Sequence, residues 1–91
     1  MEMTEITFSA ELANDYLSRH DNGDLGAHEI VTRKKLIWTL RLNADQLDNV
    51  LADLEYQIEF NYSDDWEGAK AQARKCVRAL DAIEKQIIER G

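Results

Sequence analysis

Between His20 and Glu29 the chain reads HDNGDLGAHE, and five of these side chains could ligate a metal: His20, Asp21, Asp24, His28 and Glu29. An EF-hand loop needs an oxygen ligand where Leu25 stands. Its closing Glu also lies farther beyond the turn glycine than Glu29 lies beyond Gly26. Two His and a carboxylate form a zinc ligand set, but this spacing matches neither a structural nor a catalytic zinc site. The segment reads as a polar loop, and no metal is expected. Cys76 sits among apolar residues of a helical pattern, where a thiol is usually inert filler. Neither His has a Ser or Cys partner beside it in the sequence. No catalytic residue and no cofactor is therefore expected, and the chain does not read as an enzyme.

Binding chemistry is better represented. On a helix starting at Ala44, the carboxylates Asp45, Asp48, Glu55 and Glu59 fall within about 80° of arc at 100° per residue. That helix has no Lys or Arg to neutralise them. The plain reading is a solvated face, or one paired with basic residues elsewhere in the chain. The functional reading is an acidic surface that docks on a basic partner, and spaced carboxylates on a helix can imitate a phosphate ladder. Asp53, Tyr56 and Phe60 lie next to this row and nearly opposite the apolar stripe of the same helix. Aromatics opposite a core face are either covered by the last helix with Trp66, or they anchor an interface inside a polar rim.

A basic group stands on the strand before that helix: Arg33, Lys35 and Arg41, with Lys34 beside them. Charges on a strand guard an exposed edge against aggregation. Alternatively, that edge pairs with a second copy or with a partner's strand. A further basic row on the last helix, Lys70, Arg74, Arg78 and Lys85, reads as a solvated face that answers the acidic blocks.

These groups must be positioned by a small scaffold. Ninety-one residues with 44% hydrophobic and 32% charged side chains make a single globular α+β domain over residues 1–91. A chain of this size buries only about 60–65% of its unfolded surface, which leaves little room for a deep cleft. The net charge is −7, which disfavours direct binding to nucleic acid. The charge also alternates in blocks. Residues 1–29 carry −6, residues 30–42 +4, residues 43–67 −8 and residues 68–91 +3, a pattern that favours complementary elements packed side by side. One cysteine forms no internal disulfide. No stretch reaches the ~18 apolar residues of a membrane span, and the segment MEMTEITF lacks the basic start of a secretion signal. A cytoplasmic location, with no membrane partner, is expected.

The order of elements reads β-α-β-α-α. TEITF (residues 4–8) alternates as a short strand. Ser9 caps a helix whose stripe is Leu12, Ala13, Tyr16 and Leu17, ending near His20. Residues 29–42 alternate with period two and read as one half-buried strand, with Leu36, Trp38, Leu40 and Leu42 inward. A hairpin at Arg33-Lys34-Lys35 is disfavoured because no residue there suits a primed turn. Asn43 and Gln46 form a capping box. The helix they open carries Leu47, Val50, Leu51, Leu54 and Ile58 on its core face, and Asn61 reads as its terminator. Asp64 and Glu67 read as a second capping box, opening a last helix of about 25 residues. The expected sheet is thus two-stranded and antiparallel, covered by three helices and extended in a dimer if a second copy adds strands, because two strands alone are marginal in water.

The expected function is a non-enzymatic acidic interaction protein acting by stoichiometric binding. Within that class, the profile fits a small inhibitor or regulator of a basic, nucleic-acid-handling protein. Shortness, acidity and absence of motifs match a phage-type or mobile-element-type accessory protein, and the carboxylate row allows nucleic-acid mimicry. The alternative is an assembly subunit that builds a homo-oligomer through its strand edge and last helix.

Overall fold

Ile6 and Phe8 alternate with Thr7 and Ser9, and Leu40 and Leu42 alternate with Thr39 and Arg41. This period of two puts each apolar set on one side of a strand. In the computed structural model, which describes residues 3–20, 23, 26–64 and 66–90, the two runs pair antiparallel as β1 (Thr4–Ser9) and β3 (Ile37–Leu42). Ile6 stands opposite Leu40 and Phe8 opposite Trp38. Helix α1 (Ala10–His20) follows β1 without a loop, and Leu12, Ala13, Tyr16 and Leu17 are its buried residues, as the stripe predicts. The expected helix stop at Asp21, Asn22 and Asp24 lies outside the described residues.

The sheet has three strands, which corrects the two-stranded expectation. Residues 29–42 form a hairpin of β2 (Glu29–Arg33) and β3, and the strand order is β1-β3-β2, all antiparallel. The Lys34 N–H donates to the Ile37 carbonyl at 3.0 Å, closing a two-residue loop of Lys35 and Leu36. No Asn or Gly marks this turn. Its support comes from elsewhere in the chain: the Ala10 N–H, at the open start of α1, donates to the Leu36 carbonyl at 3.0 Å. Leu36, expected inward, is 77% exposed at the hairpin tip. The pairing also shifts between Ile30 and Thr32, so Ile30 opposes Leu40 whereas Thr32 opposes Thr39 and Arg33 opposes Trp38. This bulge at Val31 inverts the alternation, and a strict period of two cannot be carried through it.

Three helices cover one sheet face. Helix α2 (Ala44–Ser63) begins with the expected capping box, in which the Gln46 N–H donates to Asn43 Oδ1 at 2.8 Å and the Asn43 N–H to Gln46 Oε1 at 3.0 Å. It does not stop at Asn61. That side chain is buried and donates to the Gln57 carbonyl within the helix, and Asp64 forms the C-cap. Asp64 therefore ends α2 and does not open the next helix. Helix α3 (Ala69–Arg90) starts after a turn at Gly68, whose φ of +89° is a conformation that side chains with a Cβ rarely adopt. Ile6, Leu40, Leu42, Val50, Cys76 and Ile83 meet in the core with no accessible surface. Burying each large aliphatic side chain there contributes about 1.5–3 kcal/mol.

The opposite sheet face carries polar cross-strand pairs. Thr7 and Thr39 hydroxyls lie 2.8 Å apart. Arg41 reaches across both neighbouring strands, to Glu5 at 3.1 Å and Glu29 at 2.9 Å. The hydrogen bond to Glu5 and the negative charge of Glu29 hold the guanidinium even more firmly protonated than usual. The β1 edge is closed by α3. Gln86 Oε1 accepts from the Thr7 N–H and its Nε2 donates to the Thr7 carbonyl, both at 2.8 Å, so one amide side chain stands in for a neighbouring strand.

Candidate functional site

Off the buried stripe of α1, Glu11, Asp15 and Arg19 follow one another at i, i+4 and i+8 and form a row along the helix. Across from them, α2 presents Asp53, Tyr56 and Phe60. Between these walls lies an open groove of about 700 Å³, completed by Trp66 from the α2–α3 connection and Gln72 from α3. Tyr56 and Phe60 are one turn apart and stack with ring centroids 6.1 Å apart and planes 19° apart. They remain 65% and 52% exposed, and Trp66 47%. The last helix therefore does not cover them. It packs on α2 with Ala69, Ala73 and Cys76 buried, and the Cys76 thiol donates to Gln57 Oε1 at 3.7 Å. Gly68 lies against Trp66: an added Cβ there would come within 3.2 Å of the indole.

Asp53 closes the base of the groove. Its carboxylate accepts from Arg19 at 2.7 Å and from Gln57 at 2.8 Å, and lies 3.2 Å from His20 Nε2. The side chain is only 11% exposed, so Asp53 joins α1 to α2 and does not reach outward. Asp15 differs. Among the described residues its carboxylate makes no ion pair or hydrogen bond, and it lines the same groove as the aromatic row. Glu11 is tied to Lys75 at 3.4 Å. The site thus offers three exposed aromatic surfaces, one carboxylate unpaired among the described residues and two neutralised pairs. Aromatic faces and a carboxylate together suit a cation, which the ring quadrupole and the negative charge both attract.

The sequence-predicted residues divide into groups. Asp53, Tyr56 and Phe60 belong to the groove. Asp45, Asp48, Glu55 and Glu59 are exposed on the next face of α2, without ion pairs among the described residues. Arg41 lies on the central strand and is paired inside the chain, so it guards no edge. Arg33 is on the β2 edge and stacks over Trp38 at 5.0 Å, and Lys35 is exposed at the hairpin tip. Asp15 and Arg19 are not among the sequence-predicted residues, and Trp66 enters there only as part of a last helix covering the two rings. For Asp15 and Arg19, the i, i+4 spacing beside the Leu12–Tyr16 stripe is the available signal.

The remaining chemistry-bearing groups are structural. His28 is buried with its Nε2 2.8 Å from the Tyr16 hydroxyl, which also accepts from Asn49 at 2.9 Å. Asp21 and Asp24 lie outside the described residues, and among the described ones no three His, Cys, Asp or Glu side chains cluster as metal ligands. Burial pushes the Cys76 thiol above its ordinary range, aided by the charge of Asp53. Among the described residues no helix is long and apolar enough to cross a membrane. Comparison with protein-family models, curated proteins and solved structures finds no match to this chain.

Proposed function

We propose that the protein is a non-enzymatic, stoichiometric binder of a basic protein, acting as an inhibitor or regulator of that partner. The observation that carries this reading is the groove in which Tyr56, Phe60 and Trp66 are exposed beside the free Asp15 carboxylate. Exposed aromatics within a polar rim are the usual anchors of an interface. A Lys or Arg side chain of the partner fits between the rings and Asp15, where cation–π attraction of about 0.5–2 kcal/mol adds to the charge interaction. The net charge of −7 steers a basic partner toward this surface and makes association sensitive to salt.

The test compares wild type with Tyr56→Ala/Phe60→Ala as immobilised baits in a lysate of the source cells, with captured proteins quantified by mass spectrometry. Both rings are exposed, so the variant is expected to keep its fold, and circular dichroism checks this. A basic protein held by wild type at low salt, and lost both with the variant and at high salt, supports the reading. An identical captured set for the two baits overturns it.

A further inference from the structure

Next to the groove, the outer side of the α2–α3 pair carries charge of both signs in separate rows. On α2, Asp48, Glu55 and Glu59 fall with Leu51 and Tyr62 within about 80° of arc. On α3, Arg74, Arg78 and Lys85 fall with Val77, Ile88 and one carboxylate, Asp81, within about 100°, so this row is net positive. Tyr62, Arg74, Val77 and Arg78 line one shared hollow, so the two arcs meet along a single face. Apolar surface runs down the seam: Tyr62 is 54% exposed and Ile88 77%, with Leu51 and Val77 half-buried. None of Glu55, Glu59, Arg74 or Arg78 makes an ion pair among the described residues.

We propose that this face binds the same face of a second copy of the chain, with α2 of each copy lying on α3 of the other. The two rows sit side by side on one molecule, acidic on one helix and net basic on the next. A two-fold axis running parallel to the helices exchanges left and right while preserving height, so every acidic row meets a basic one. The heights agree as well. The Cys76 thiol donates to Gln57 Oε1 at 3.7 Å, which sets Gln57 of α2 level with Cys76 of α3. Counting along the antiparallel helices at about 1.5 Å per residue, Glu59 of one copy stands beside the Arg74 turn of the other, Glu55 beside the Arg78 turn and Asp48 beside the Lys85 turn. The size is adequate. Helices of 20 and 22 residues present a face of about 30 by 20 Å, or about 600 Å² per copy, at the lower end of specific interfaces. The apolar seam supplies the buried centre and the charged rows the rim. The groove of Tyr56 and Phe60 lies on another side of α2 and stays open in this dimer.

The experiment is light scattering coupled to size exclusion, with sedimentation equilibrium, on the full chain from low to high micromolar concentration. Wild type is expected to approach twice its 10.5 kDa mass, with the dimer weakened as salt rises. Glu55→Lys/Glu59→Lys and Arg74→Glu/Arg78→Glu should each be monomeric, because each sets like charges opposite one another. Mixed in equal amounts, they should form a heterodimer, since both rows are then complementary again. Circular dichroism shows whether each variant is folded, and the wild-type measurement stands independently of them. A wild type that stays monomeric throughout the range overturns the proposal. So does a dimer that both variants retain, or folded variants that do not associate when mixed. Tyr56→Ala/Phe60→Ala leaves the dimer mass unchanged, so failure of this proposal and failure of the groove reading are separate outcomes.

Discussion

Gln86 closes the β1 edge with two hydrogen bonds, so replacing it tests whether α3 acts as part of the sheet. In Gln86→Ala, the Thr7 N–H and carbonyl lose partners that both lie at 2.8 Å. Each bond contributes about 0.5–1.5 kcal/mol net, which places the loss near 2 kcal/mol. At about 4–8 °C per kcal/mol for a domain of this length, Tm falls by about 8–16 °C. Urea unfolding is expected to show a lower midpoint at unchanged slope, and amide exchange at Thr7 should accelerate toward that of an open edge. Gln86→Glu separates the two bonds. A carboxylate still accepts from the Thr7 N–H but turns a second oxygen toward the Thr7 carbonyl, so amide protection partly survives while stability falls. A loss below about 0.5 kcal/mol, within the range of ordinary surface substitutions, together with unchanged Thr7 exchange, would refute the edge-closing role.

Two further outcomes follow from the buried groups. Burial holds the Cys76 thiol above its ordinary range, so the folded chain keeps it protonated at pH values where the unfolded chain releases the proton. Its contribution is complete below about pH 8.5, the ordinary thiol value, and is lost as pH rises beyond it. The free energy of unfolding should therefore decline more steeply at alkaline pH for wild type than for Cys76→Ala, and thiol reagents should label native protein far more slowly than urea-unfolded protein; equal labelling rates would contradict this. Asp53→Ala removes a carboxylate that is 11% exposed, together with its bonds to Gln57 and to the 43% exposed Arg19, and is expected to cost about 1–2 kcal/mol, whereas Glu59→Ala stays within about 0.5 kcal/mol. Equal losses in urea unfolding would show that Asp53 is not a joint between α1 and α2.

Local rules were readable where the deciding interactions are short in range. The Asn43–Gln46 capping box, the α1 stripe of Leu12, Ala13, Tyr16 and Leu17, and the Val50–Leu54 core face are all set by residues within a turn or two of one another. The third strand was not readable, because its turn at Lys35 and Leu36 draws on the Ala10 N–H, more than twenty residues away in sequence. The bulge at Val31 then reversed the phase of the alternation. The same distinction governs the site. The position of Tyr56 and Phe60 opposite a core stripe was legible from helical spacing. Their meeting with Trp66 and Asp15, and the enclosure of Asp53 by Arg19, His20 and Gln57, required the packing of α1 against α2.

By itself, then, the sequence determined the class, the starts of the first two helices, the buried stripes of α1 and α2 and the acidic character of α2. Period, capping and composition act over a few residues and are written directly in the chain. Only the tertiary structure decided which charges are spent inside the molecule and which face outward. Arg41 and Asp53 are both consumed internally, while Asp15 and the α2 row are left free. An ion pair depends on distances of a few ångströms between residues far apart in sequence, and those distances exist only once the sheet and the three helices are packed.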